Sequence, residues 1–352
     1  MGRLTIWRFI REQYQTFKPV EKVDLTGKTV VVTGGNGGLG FEAAKHFATM
    51  NPSRLIITCR SEEKGKAALS KISQDTGYTK AEAWALDLAR FASVREFADR
   101  FEREGGGRLD ILVENAGMIG TSSYEKTEDG YSTILQTNDI GPSLHTLLLL
   151  PYLVKTAEEH NTKPRIVLVS SDVHYWSLSD QSKQFAHQPN IIDAMSSVEY
   201  YNKVPVNHHY FDSKLLNIFF VRALQARLAK YPSIIVDAVN PGYCYSGFRS
   251  NLTGIRAFLD RIMESLLAMT TEEGGRQIVW AAVGGKGSEG SEGSEEKLKA
   301  GYVSFGRVVE PSDFSISEEG RELEETYWNQ QLDVLKGVDP RVKQIVDQYL
   351  IL

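Results

Sequence analysis

The chain has 352 residues, enough for one large domain or two small ones and for a sizeable buried core. Its formal charge of −5 is slightly acidic and argues against nucleic-acid binding, which usually brings a basic excess or stripe. Two cysteines, Cys59 and Cys244, fit no metal-ligand pattern and read as reduced thiols of a cytosolic protein.

The first twenty residues lack the apolar core and cleavage site of a secretory signal. They place Ile6, Ile10, Tyr14 and Phe17 at helical spacing with Trp7 nearby, and predict a helical extension over residues 1–26. A helix packed on its own domain is the preferred reading. An interfacial membrane helix is the alternative and the sole route to membrane contact. The longest apolar run, LHTLLLLPYLV (144–154), is too short to span a bilayer and reads as a core helix. A cytoplasmic protein is therefore expected.

From residue 28 short β-branched runs alternate with helical spacing. KTVVVTGG, RLIITCR, AEAWALDL, LDILVENAG, RIVLVSS and IIVDAVNPG read as strands, with LGFEAAKHFATM, EEKGKAALSKIS and ASVREFADRFE among the helices between them. That alternation predicts an α/β fold, a doubly wound Rossmann-type parallel sheet with helices on both faces, in a single domain over 27–283. Two stretches break the rhythm. An insert at about 172–209 shows no clear period, and the Gly/Ser/Glu tract GGKGSEGSEGSEEKLK (284–299) reads as a solvated, flexible loop. Apolar content resumes in a carboxy-terminal segment, 300–352, expected to pack on the same domain.

The first strand runs directly into GGNGGLG and then into a helix. Gly34, Gly38 and Gly40, with Leu39 between the last two, stand where a dinucleotide pyrophosphate would meet a helix amino terminus. The second strand ends in Thr58, Cys59 and Arg60, with no carboxylate before Glu62. An acid there would hold a ribose 2′-hydroxyl and repel a 2′-phosphate, whereas Arg60 can pair with the phosphate, so NADP(H) is expected over NAD(H).

Further motifs follow in order: DL (87–88), ENAG (114–117), NDIG (138–141), VSS (169–171), YFDSK (210–214) and NPGYCYS (240–246). Together with TGGNGGLG (33–40) they resemble the short-chain dehydrogenase/reductase family over roughly residues 27–250. The sequence looks closest to its retinol-dehydrogenase-like and fungal secondary-metabolism branches. The resemblance implies catalytic roles for Ser171, Tyr210, Lys214 and Asn138. It implies cofactor contacts from Asp87, Asn115, Tyr210, Lys214 and Ser246, the last on the carboxamide side. It also implies dimers or tetramers, unless the terminal extensions cover the usual faces. The same Tyr-x-x-x-Lys spacing recurs at Tyr14 and Lys18, ahead of the first strand, and takes no part. One departure stands out: Glu114 replaces the family's usual asparagine, and a carboxylate there needs a partner if buried.

The residue types suit hydride transfer to a carbonyl. A tyrosine is a weak acid at neutral pH. A lysine ammonium one helical turn away favours its phenolate. A serine at a strand's carboxyl end can hydrogen-bond the oxygen where charge develops. Adjacent strand residues face opposite ways, so Ser170 and Ser171 cannot both do this, and the resemblance selects Ser171. By resemblance, Asn138 would hold a water linking Lys214 to solvent. His174, just past the serine, is expected to bond backbone rather than substrate. The expected activity is NADPH-dependent interconversion of a ketone or aldehyde and an alcohol on a fairly large apolar small molecule, with secondary-metabolite biosynthesis as a setting. The size rests on Tyr175, Trp176, Phe185, Tyr200 and Tyr201, which either line a pocket or pack a lid. The alternatives are an NADP(H)-binding protein without turnover and a reductase of carbon–carbon double bonds. No histidine cluster has metal-ligand spacing, and no Gly-x-Ser-x-Gly elbow occurs.

Overall fold

The computed structural model describes residues 5–15, 17, 19–20, 22–120, 123–178, 180–245, 264–285 and 294–351. After helix α1 (Ile6–Gln13), strands and helices alternate: β1 (Thr29–Val32), α2 (Gly38–Thr49), β2 (Arg54–Cys59), α3 (Glu62–Thr76), β3 (Ala81–Ala85), α4 (Phe91–Glu104) and β4 (Ile111–Glu114). A helical turn, α5 (Thr133–Leu135), passes through a π-turn (Gln136–Ile140) into α6 (Gly141–His160), which leads to β5 (Arg165–Val169). The insert then forms a 3-10 turn (Asp172–Trp176) and three short helices, α7 (Asp180–Ala186), α8 (Ile191–Met195) and α9 (Val198–Lys203). The long helix α10 (Val206–Arg227) precedes β6 (Ile235–Asn240) and α11 (Thr271–Val283). The chain ends with α12 (Glu295–Leu298), β7 (Tyr302–Ser304), β8 (Arg307–Val309), α13 (Asp313–Ile316), α14 (Glu318–Val338) and α15 (Pro340–Tyr349).

The eight strands form one sheet in the order β3-β2-β1-β4-β5-β6-β7-β8, parallel throughout except for the β7–β8 pair. The order reverses between β1 and β4, which opens a crevice beyond the carboxyl ends of those strands. Side chains alternate across the sheet, as strand geometry requires. Val31, Leu112, Ile166 and Val236 join the core beneath α4, α6, α10 and α14. Val30, Val32, Val113, Val167 and Val239 join the core beneath α2 and α11. Burial on both faces explains why these strands read as continuous apolar runs rather than alternating ones.

LHTLLLLPYLV lies inside α6 as a core helix, with Pro151 within it. Among the described residues no helix is long and apolar enough to cross a membrane. Of the Gly/Ser/Glu tract, residues 286–293 lie outside the described region. Its end differs from the solvated loop expected from composition. Ser294 and Leu298 are buried, and Glu295 pairs with Arg165 at the start of β5, at 3.1 Å.

Candidate active site

The turn after β1 is shaped by its glycines. Gly34 and Gly38 have φ of +65° and +57°, backbone that side chains with a Cβ rarely adopt. A Cβ at Gly40 would lie 2.8 Å from the Gly34 carbonyl oxygen and closer still to Asn115 Nδ2, so α2 meets the end of β4 only through a bare backbone. Gly37 caps α2 without a side-chain hydrogen bond, and a Cβ there or at Gly38 would meet nothing within 4 Å. The uncapped N–H groups at this helix start form the kind of open cradle that takes a pyrophosphate. Leu39 is half-buried and faces Gly274 of α11. Arg60 is exposed at the end of β2, and half-buried Asp87 follows β3 with Oδ1 accepting from the Ala89 N–H at 3.1 Å.

Thr33 ties this turn to β4. Its Oγ1 accepts from the N–H groups of Asn115 (2.8 Å) and Ala116 (3.0 Å), while Asn115 Nδ2 donates to the Thr33 carbonyl at 2.8 Å. Glu114 is buried and does have partners. His145 Nδ1 stands 2.5 Å from its Oε1, and the hydroxyls of Thr146 and Thr33 lie at 3.4 Å and 3.3 Å from its two oxygens.

Lys214 and Tyr210 lie one turn apart on α10, with the ammonium 5.6 Å from the phenol ring centroid. Only 4% of Lys214 is exposed. Its Nζ donates to the Val169 carbonyl (2.8 Å) and to Asn217 Oδ1 (3.2 Å), and a Cβ on Gly117 would stand 3.7 Å from it. The ammonium is thereby placed beside the carboxyl ends of β4 and β5. Burial lowers its pKa to about 8, against the attraction of the Asp139 carboxylate.

The two serines separate as strand alternation requires. Ser170 is buried and its hydroxyl donates to the Lys214 carbonyl at 2.8 Å, whereas Ser171 is half-buried and caps the following 3-10 turn. That turn packs against α10. Buried Asn240 fixes the neighbourhood, accepting from the N–H groups of Asp172 and Gly242, both at 3.2 Å. His174 bonds backbone, as expected: Nδ1 to the Ser171 carbonyl at 2.8 Å, and Nε2 from the Ser312 N–H at 3.1 Å. Burial lowers its pKa to about 3.

Asn138 sits in the π-turn, where one extra residue interrupts the helix before α6. Its side chain accepts from the Met118 N–H (2.7 Å) and donates to the Met118 carbonyl (2.8 Å) and to Ser213 Oγ (3.0 Å). Its carbonyl receives Asn217 Nδ2 at 2.7 Å. Asn217 therefore bridges the Lys214 ammonium and the Asn138 carbonyl. Sequence reasoning missed it, although a lone asparagine in KLLNIFF was a signal. Ser246 lies outside the described residues, as does Lys18. Tyr14 is exposed just past the end of α1, its hydroxyl donating to the Leu266 carbonyl at 3.1 Å.

The insert aromatics divide. Phe185 and Tyr200 are buried against each other, and the Tyr200 hydroxyl donates to Asp212 at 2.6 Å, so both pack the lid rather than line a pocket. Trp176 is 37% exposed beside α10.

With this geometry in place, comparison with known proteins settles the family. Residues 28–182 match the family model described as short chain dehydrogenase. The short-chain dehydrogenase anuD of Penicillium roqueforti is 34% identical over 95% of this chain and 84% of its own length. The chain belongs to the short-chain dehydrogenase/reductase family. The short chain dehydrogenase/reductase dmxR8 of Cryptosporiopsis is also 34% identical, over 93% of this chain and 97% of its own. Among solved structures, the RhlG/NADP complex of Pseudomonas aeruginosa aligns with a TM-score of 0.55 at 22% identity, covering 73% of this chain and 89% of that one. Salutaridine reductase of Papaver somniferum gives 0.53 at 22%, covering 73% and 95%. These two likenesses bear on the fold, which is the Rossmann type expected. The chain is thus an oxidoreductase of this family, acting on small molecules with a nicotinamide cofactor. Among the described residues no group of side chains could hold a metal ion.

Proposed function

We propose that this dehydrogenase uses NADP(H) to interconvert a ketone or aldehyde and an alcohol. The observation that carries the reading is the buried Lys214 ammonium, held at the carboxyl ends of β4 and β5 one turn from Tyr210. The cradle of Gly34, Gly38 and Gly40 and the open start of α2 fit a pyrophosphate. Asp87 and Asn115 would flank the adenine and nicotinamide-ribose portions, and exposed Arg60 would pair with a 2′-phosphate.

When bound, the cofactor supplies or accepts the hydride. The protein's own residues manage the proton and the developing charge. Tyr210 gives its hydroxyl proton to the carbonyl oxygen in reduction and takes it back in oxidation. Lys214, positively charged, lowers the cost of the phenolate left behind. Ser171 hydrogen-bonds the same substrate oxygen as charge builds on it. Asn138, through its carbonyl and Asn217, holds the Lys214 ammonium in register with the tyrosine.

The test is NADPH consumption with a panel of ketones and aldehydes, followed by product analysis. Alcohol product is expected, and Tyr210→Phe should lower kcat by about 10²- to 10⁴-fold. Arg60→Glu should weaken NADPH binding by about 10- to 100-fold while sparing NADH. An unchanged Tyr210→Phe rate, or a saturated ketone as product, rules the reading out.

A further inference from the structure

Beside Tyr210 runs a continuous row of aromatic rings drawn from four separate segments. The Phe211 centroid lies 6.5 Å from that of Tyr210, Trp176 lies 6.0 Å from Phe211, Phe9 lies 6.3 Å from Trp176, and Tyr243 lies 6.1 Å from Phe9. Phe211 belongs to α10, Trp176 ends the turn that Ser171 begins, Tyr243 follows β6, and Phe9 comes from α1. None of these rings is fully buried, in contrast to Phe185 and Tyr200 nearby. Phe9 and Phe211 meet the Trp176 indole at 58° and 54° rather than stacked flat.

Polar contacts seat α1 in this position. Glu12 is 3% exposed and holds Arg8 at 2.9 Å, and the Arg8 guanidinium stands 5.5 Å from the Tyr175 ring. Gln13 Oε1 accepts from the Tyr243 N–H at 3.2 Å. The amino-terminal helix is therefore bonded to the loop after β6 and packed against the turn that Ser171 begins. Of the two aromatic residues of α1, Trp7 lies exposed, whereas Phe9 is half-buried in the row of rings that leads to Tyr210.

We propose that α1 completes the substrate pocket, with Phe9, Trp176 and Phe211 forming a shelf for the planar aromatic body of a ketone whose carbonyl meets Tyr210. This rests on the carbonyl-reductase reading and names its substrate class. Rings in this spacing accept a further ring in offset or edge-on contact, which a saturated ring of similar size does not reproduce.

The experiment measures calorimetric binding of acetylnaphthalene and of its saturated counterpart, acetyldecalin, to the full chain, with and without NADP⁺, alongside turnover of both ketones. Wild type should bind acetylnaphthalene more tightly. Phe9→Leu should weaken acetylnaphthalene about 3- to 10-fold and leave acetyldecalin unchanged, and Phe9→Ala should weaken acetylnaphthalene at least as much. Phe9→Leu retains apolar volume and so keeps α1 seated if Phe9→Ala loosens it. Trp7→Ala, on the same helix but 78% exposed, should change neither ketone. Equal wild-type affinity for the two ketones, or Phe9 variants indistinguishable from wild type, overturns the shelf. Selective binding of acetylnaphthalene without turnover would support the shelf and sink the reductase reading. Turnover of both ketones with no effect of Phe9 would do the reverse.

Discussion

Lys214 is buried almost completely, and an ammonium out of water stays charged only where acceptors replace its hydration. Two are present, the Val169 carbonyl and Asn217 Oδ1. With its pKa lowered to about 8, the free protein loses this charge as pH rises through that value, and with it the support proposed above for a Tyr210 phenolate. Reduction should accordingly show a kcat/KM limb that falls above about pH 8. Asn217→Leu removes one acceptor and should move that limb to lower pH. Asn217→Asp adds a negative charge and should move it higher. A pH–rate profile of the three proteins checks this, and a limb that stays fixed would show that Asn217 only packs. The Tyr-x-x-x-Lys spacing was legible in the sequence; strand alternation showed only that Ser170 and Ser171 face opposite ways, and the family resemblance chose Ser171. What could not be read was which acceptors hold the lysine, because one is a backbone carbonyl forty-five residues away.

At the scale of elements, the end of β4 shows how a departure from the family pattern is accommodated. Glu114 is buried with His145 from α6, and its other oxygen meets Thr33, which in turn fixes the Asn115 and Ala116 amides under the nucleotide turn. Leaving a buried polar group without its hydrogen-bond partner costs about 1–3 kcal/mol. Glu114→Leu should therefore lower Tm strongly and weaken NADPH binding through Thr33, whereas Glu114→Gln, which keeps an acceptor, should cost about 1 kcal/mol. Thermal melts with and without NADPH measure both effects. Five of the six strands read from the sequence are largely β-branched runs of four to six residues buried on both faces, whereas β3, AEAWA, is mostly half-buried and was legible from its place between two helices. Strands β7 and β8 escaped, since three residues each cannot display a period. The insert helices α7 to α9 escaped for the related reason that five to seven residues span at most two turns.

Across the whole molecule, the carboxy-terminal helices are built onto the back of the active site. Helix α14 packs along α10, with Trp328 5.7 Å from Phe220 and Glu324 3.1 Å from Arg222. It also sends Tyr327 and Gln331 to Asp139, the residue after Asn138 in the π-turn; the Tyr327 hydroxyl and Gln331 Nε2 (2.8 Å) both donate to Oδ2. Burial raises the Asp139 pKa from 3.8 to about 7, against the pull of those two hydrogen bonds and the Lys214 charge. An acid whose pKa is higher in the fold binds its proton more tightly there than in the unfolded chain. Its favourable contribution to stability is complete below about pH 4 and is lost progressively as pH rises to about 7. Asp139→Asn stays neutral at every pH and keeps an oxygen to accept from Tyr327. The Tm of this variant relative to wild type should therefore climb between about pH 4 and about pH 7, and on to about pH 8, because Lys214 loses the Asp139 attraction in the variant. Asp172 and His174 also titrate with shifted pKa values, but they are present in both proteins and cancel from the difference. Melting curves of the pair at about pH 5 and about pH 8 decide the matter. A Tm gap independent of pH would mean that Asp139 remains ionised throughout, stabilised by Lys214 across the π-turn, and that the carboxy-terminal helix docks on a charge rather than on a neutral acid.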